Sequence, residues 1–281
     1  MTSAVDAGLV AESPLPVRRR KLVPLGQRPI VVWTLSALLL VVALCLWEAV
    51  TANRMIHKII LPAPGAVLEA APELLSDSDF PGHVAATLAE TLVGFVLGSL
   101  FGLGMGLSMA MSPTLRKAFF PMAVAFQATP RIILAPLIIA WFGFGIESKV
   151  VQAIILCFFP VLINTLVGLL LTEENAIKLM RSLGATRWQT FRMLRFPDAL
   201  PTIFAGVKTA LTFAMIGAIV SEFVAAESGL GFLLSKYNYE LRNPEVYVLI
   251  IVLSLIGVAL FLAVEWLDKK LVFWRQDQSG T

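Results

Sequence analysis

Four stretches of this chain carry no charge for eighteen residues or more: 30–47, 91–115, 150–172 and 246–264. Each stops at an ionisable residue, Arg28 and Glu48 for the first, Glu90 and Arg116 for the second, Lys149 and Glu173 for the third, Glu245 and Glu265 for the fourth. A bilayer core about 30 Å thick needs about 20 apolar residues as helix. Two further runs fit with little charge, 118–146 around Arg131 and 199–226 around Lys208 and Glu222. None alternates with period two, so a barrel is excluded and the expected class is an all-α integral membrane protein. Composition agrees: 58% hydrophobic and 15% charged residues, against about 25% charged in a soluble globule. A soluble enzyme, a disordered chain and a collagen-like fibre are thereby ruled out.

The expected spans are 30–50, 84–112, 118–142, 149–172, 201–226 and 245–267, within a membrane domain of 30–270. A disordered cytoplasmic tail is expected over 1–29 and a second cytoplasmic tail over 271–281. The run 30–47 exceeds the usual signal-peptide core of about 7–15 residues, and its leading tail is long, so it reads as a retained first span. Arginine and lysine set the orientation. Fifteen lie on one side: Arg18, Arg19, Arg20, Lys21 and Arg28, then Arg116 and Lys117, then Lys178, Arg181, Arg187, Arg192 and Arg195, then Lys269, Lys270 and Arg275. Five lie on the other: Arg54, Lys58, Lys149, Lys236 and Arg242. Both termini are therefore expected in the cytoplasm.

Cys45 and Cys157 sit inside apolar runs and offer neither a disulfide framework nor a thiolate metal site. His57 and His83 form no ligand motif and read as surface-loop residues. No metal or cofactor is called for. There is no P-loop, and the spacing of Gly102, Gly104 and Gly106 lacks the preceding strand of a dinucleotide site. Gly94, Gly98 and Gly102 recur every fourth residue, one face of a helix suited to close approach by another, within the molecule or across a dimer.

Pro121, Pro130 and Pro136 interrupt the third run, with Gln127, Thr129 and Arg131 around the middle break. Freed carbonyls there need polar neighbours, as along a transport path, or the break is a plain kink with Arg131 snorkelling to the cytoplasm. In the fifth run, Ser221 and Glu222 lie near the outer end, where water is close, and Lys208 near the inner end. Gln127, Thr129, Ser221 and Glu222 are candidates for lining a path. The segment 173–200 is basic and amphipathic. Gly184 can separate two helices, Trp188, Phe191 and Leu194 share a face of the second, and Pro197 is expected to end it. That face suits docking of a partner, or lying on the bilayer.

Residues Leu183-Gly184-Ala185-x-Arg187-Trp188-Gln189-x-Phe191, with Pro197 and Pro201 following, resemble the EAA loop of bacterial ABC importer permeases. Ile203–Lys208, Glu222-Phe223 with Gly229-Leu230-Gly231, and Leu61-Pro62-x-Pro64 are similar to the nitrate/sulfonate/taurine-type group, whose members include permeases for pyrimidine precursors of thiamine and for riboflavin. The resemblance implies six transmembrane helices in a type I ABC importer permease fold within the bacterial cytoplasmic membrane. It implies pairing with a second permease copy, two cytoplasmic ATP-binding subunits that hydrolyse ATP in this chain's stead, and an extracytoplasmic substrate-binding protein. Gly184, Ala185, Arg187, Trp188, Phe191 and Arg192 would then couple to the ATPase. The solute would be small, organic or anionic, with the 214–224 pattern closer to the pyrimidine-precursor and riboflavin branch. Lys178 and Met180 depart from the motif, which usually has an acid and an alanine there. A secondary transporter or channel without an ATPase remains the alternative, and it leaves the long cytoplasmic loop without a purpose. A membrane enzyme would need a catalytic motif that the sequence lacks.

Overall fold

The computed structural model describes residues 29–53, 56–57 and 60–274, with side chains from Thr34 onward. The first tail, expected to be disordered and carrying Arg18, Arg19, Arg20, Lys21 and Arg28, lies outside the described residues up to residue 28, as do Arg54, Lys58 and Arg275. Helices follow in the order α1 (Pro29–Ala52), α2 (Pro64–Leu75), α3 (Phe80–Met111), α4 (Pro113–Ala128), α5 (Ala135–Phe142), α6 (Ile146–Leu170), α7 (Glu174–Ser182), α8 (Arg187–Thr190), α9 (Phe196–Val224), α10 (Leu230–Tyr239) and α11 (Asn243–Leu271). Helices α1, α3, α6, α9 and α11 are long and apolar enough to cross a membrane, and α4 with the segment 131–142 forms a sixth, bent pair.

The core is the meeting of α3, α6 and α9. The spacing of Gly94, Gly98, Gly102 and Gly106 dictates it: all four are buried, and a Cβ on any of them would collide with α6, at Ala153, Cys157, the Phe158 carbonyl or Thr165. Close helix approach is the stabilising device where no water is displaced, because dispersion replaces the hydrophobic drive. The ladder thus serves packing within the molecule. Gly217 on α9 repeats the device against Ala153 and Gln152, and Gly206 does so against Pro160 and Asn164. Helices α1 and α11 remain largely uncovered, with Leu38, Leu39 and Leu46 of α1 and Leu255 and Val258 of α11 exposed.

Short helices close one end. The cluster of Val67, Leu74, Phe80, Leu230, Leu233, Tyr237, Val248 and Leu249 ties α2 and α10 to α11. Trp47 Nε1 donates to the Pro62 carbonyl at 3.0 Å, fastening α1 to the turn before α2.

Three proline expectations are resolved differently. Only Pro130 breaks the third run, and the axis turns by 84° there. Pro121 stays inside α4 and Pro136 occupies the first turn of α5, where its missing N–H has no helical acceptor to lose. Pro197 does not end a helix. A π turn over Phe191–Arg195 joins α8 to α9, and the chain runs helically from Arg187 to Val224 for 38 residues. Its wider bonds, such as Phe196 N–H to the Phe191 carbonyl, accommodate a proline ring that would clash in an ordinary turn.

Candidate coupling and translocation sites

Helix α7 ends in a Schellman motif: Gly184 N–H donates to the Arg181 carbonyl and Ala185 N–H to that of Met180, both at 3.0 Å. Such an ending needs a left-handed residue, and Gly184 has φ of 78°. Nothing lies within 4 Å of where its Cβ would be, so glycine is required here by backbone conformation alone. Two residues on, Thr186 opens α8 with a full capping box, its Oγ1 accepting from Gln189 N–H at 3.2 Å and the Gln189 side chain accepting from Thr186 N–H at 2.8 Å. A helix of four residues has little stability of its own; the box and the π turn behind it hold it in place.

This local frame presents Trp188. Its ring stacks on Phe191 at 5.4 Å, Phe191 contacts Phe196 at 5.8 Å, and yet the Trp188 side chain stays 61% exposed. Phe191 is half-buried, as is Leu194, so Phe191 acts as the foot of the indole more than as a free anchor. Arg187 and Arg192 are exposed beside the pair, and Ala185 is half-buried. Lys178, which departs from the motif, pairs with Glu174 at 3.5 Å on the exposed face of α7. All six coupling candidates are thus contiguous.

The four path candidates are not brought together. Gln127 and Thr129 are exposed at the bend between α4 and α5, where Thr129 Oγ1 donates back to the Ala125 carbonyl at 3.4 Å. Arg131, next to them, does not snorkel. Its Nη1 donates at 3.3 Å to the Leu156 carbonyl, the acceptor that Pro160 leaves without a helical donor. Its guanidinium lies 5.1 Å from the Phe159 ring centre and 5.9 Å from that of Phe213, and Gln152 donates to its carbonyl at 3.1 Å. Arg131 is therefore a built part of the bend that the candidate set left out.

Ser221 and Glu222 belong elsewhere, at 0% and 1% exposure. The expectation of nearby water at Glu222 is corrected: the carboxyl is enclosed by protein. Thr87 Oγ1 donates to its Oε1 at 2.7 Å and Gly231 N–H to its Oε2 at 2.6 Å. Thr87 in turn accepts from Leu230 N–H at 2.8 Å, and His83 Nδ1 accepts from Gly229 N–H at 3.0 Å. Gly229, at φ of 108°, has no room for a Cβ against Glu222. The reading of His83 as a surface-loop residue is corrected too, since it sits in the first turns of α3 and stacks on Phe232. Glu90 and Lys149 join this cluster at 3% exposure each. Lys149 was read as the charge at the start of the fourth span; its ammonium donates to the Phe144 and Gly145 carbonyls and acts electrostatically on both carboxyls. Sequence reasoning missed Glu90 and Lys149 because charges were used as the boundaries of apolar runs. The available signal was their opposite sign on the same side.

Residues 94–273 match the family described as binding-protein-dependent transport system inner membrane component. The formylaminopyrimidine transport permease protein ThiX of Halalkalibacterium halodurans is 36% identical over 245 residues, 87% of this chain and 96% of that protein. The riboflavin transport system permease protein RibX of Chloroflexus aurantiacus is 41% identical over 235 residues, 84% and 88% of the two chains. The taurine transport system permease protein TauC of Escherichia coli is 31% identical over 246 residues, 86% and 90%. Among solved structures, an inward-facing form of the MetNI methionine ABC transporter superposes with a TM-score of 0.59 at 22% identity, over 67% of this chain and 94% of that one. That likeness supports the type I importer permease fold.

Proposed function

The chain belongs to the family of binding-protein-dependent transport system inner membrane components, and from that premise we propose that its 187–196 segment is the mechanical input of an ATP-driven importer. One observation carries the reading: a left-handed glycine and a capping box together hold an exposed Trp188, stacked on the half-buried Phe191, at the tip of a helix of 38 residues long and apolar enough to cross a membrane. An indole held out of its own fold by so much local structure suits a cleft on another subunit. ATP hydrolysis belongs to that partner, a cytoplasmic ATPase, with two ATPase and two permease subunits per transporter. An extracytoplasmic binding protein delivers the solute.

Movement of the ATPase pair displaces α8, and α9 carries the displacement to the α4–α5 bend. Gln127, Thr129 and Arg131 line the solute's route there, whereas Ser221 and Glu222 hold the wall. A guanidinium with unused N–H groups beside Phe159 and Phe213 suits a flat, acceptor-rich solute, in keeping with a pyrimidine precursor or riboflavin-like compound. Sulfonates offer acceptors as well, but no flat ring.

Gly184→Val tests the coupling. The open space at Gly184 means that the variant folds, at a local cost of about 1–2 kcal/mol for the left-handed backbone. ATPase copurification and solute uptake in a deletion strain are both expected to fall below a tenth of wild type. Normal copurification with normal uptake overturns the reading. Orientation is checked by a cysteine at Ser182, exposed in α7, which reacts with an impermeant maleimide only from the cytosolic face. Reaction in intact cells refutes two cytoplasmic termini.

A further inference from the structure

Behind the aromatic pair lies a cavity of about 310 Å3, framed by the end of α3, the start of α4, α7 and the π turn. Three arginines line it, Arg181, Arg187 and Arg195, together with the apolar side chains of Met111, Ile177 and Phe191. Among the described residues no carboxylate lines it, and none of the three arginines lies within ion-pair distance of an acid. Arg195 Nε–H is buried without a hydrogen-bond acceptor. A buried donor that the protein itself leaves unmatched calls for an acceptor from outside, and three cations around one cavity call for that acceptor to be anionic.

The arginine fork matches the oxygens of a phosphate better than a point charge does. Depth selects the source of the phosphate. Met111 is the last residue of spanning helix α3 and Pro113 the first of α4, so the cavity opens where a bilayer's headgroups lie. Apolar side chains next to the arginines suit the glycerol and first acyl carbons of a lipid, which a free ion does not have. We propose that this cavity binds the phosphate of an anionic phospholipid from the leaflet facing the coupling segment. Occupation brackets α7 against the π turn and so stiffens the seat of α8. The site depends on the membrane placement of α3 and α4, and not on ATPase docking, so the two readings fail separately.

The test is titration of delipidated full-length protein in detergent, followed by native mass spectrometry, with phosphatidylglycerol, phosphatidylcholine and inorganic phosphate as probes. One phosphatidylglycerol is expected to be retained about tenfold more tightly than phosphatidylcholine, with inorganic phosphate a poor competitor. Arg181→Gln with Arg195→Gln is expected to weaken phosphatidylglycerol about tenfold or more, and Arg195→Lys to keep most of the binding. If the double variant does not fold, Arg181→Gln alone, at an exposed residue, is expected to show about a threefold loss. Equal retention of the two lipids, or retention unchanged in these variants, overturns the site. Full competition by inorganic phosphate overturns the lipid as its occupant, and so does release of the lipid when the ATPase binds, which would give the cavity to an acidic side chain of that partner.

Discussion

The two ends of the long helix from Arg187 to Val224 treat polar and aromatic side chains in opposite ways. At the Val224 end Ser221 and Glu222 are turned inward, and the Glu222 carboxyl is bonded to α3 and to the 229–231 turn. At the Arg187 end Trp188 and Met193 are 61% and 69% exposed, and Arg187 and Arg192 are exposed as well. The difference separates two jobs. Polar groups sealed within one chain define its shape, because each lost partner leaves a desolvated group behind. Groups held out by caps and turns, yet covered by nothing of their own chain, are available to another molecule.

The largest effect expected from this contrast is at the sealed end. Glu222→Ala strands Thr87 and the Gly231 N–H and leaves a void, a loss of about 3 kcal/mol or more. Scanning fluorimetry in detergent should show a melting temperature lowered by several degrees, with little folded protein recovered. An unshifted melting curve would break the comparison, since the carboxyl would then be dispensable to the fold. Trp188→Ala comes next and acts on the other side of the divide. The melting temperature should be unchanged while ATPase association weakens by about 2 kcal/mol, roughly thirtyfold, as read by copurification at graded ATPase concentration. A stability loss with normal association would make Trp188 part of the fold after all. The smallest effect is at Lys178→Ala. Its ion pair with Glu174 has both partners largely exposed and contributes about 0.3 kcal/mol. Melting and uptake should both match wild type, and a clear drop in uptake would give Lys178 a partner on the ATPase.

The apolar runs made the spanning helices legible, since a bilayer imposes length and hydropathy one segment at a time. The glycine spacing made the contact face of α3 legible for a similar reason: a four-residue repeat is a local property of one helix. Gly184 was readable as chain punctuation, and the backbone there is left-handed as such a glycine implies. The cluster of Glu90, Lys149 and Glu222 was not readable, because it exists only where three helices distant in sequence meet. Each of its members looked like a span boundary or an interfacial charge. Arg131 was seen at the break, but the choice between a polar break and a snorkelling side chain stayed open, because its acceptor is a carbonyl freed by Pro160, 29 residues further on. The π turn carries no periodic signature at all, so Pro197 could only be read as a stop.

That turn has a consequence of its own. Each residue of an ordinary helix advances the side-chain direction by about 100°, and a π turn holds one residue more than the span it replaces. The compass bearing of Trp188 about the axis of α9 is accordingly a matter of counting. With five residues in Phe191–Arg195, the indole points one way; with four, it would point about a quarter-turn away while every other feature of the segment stayed intact. The join between α8 and α9 works like the indexing pin of a shaft, setting at assembly the angle at which the tip meets whatever turns it.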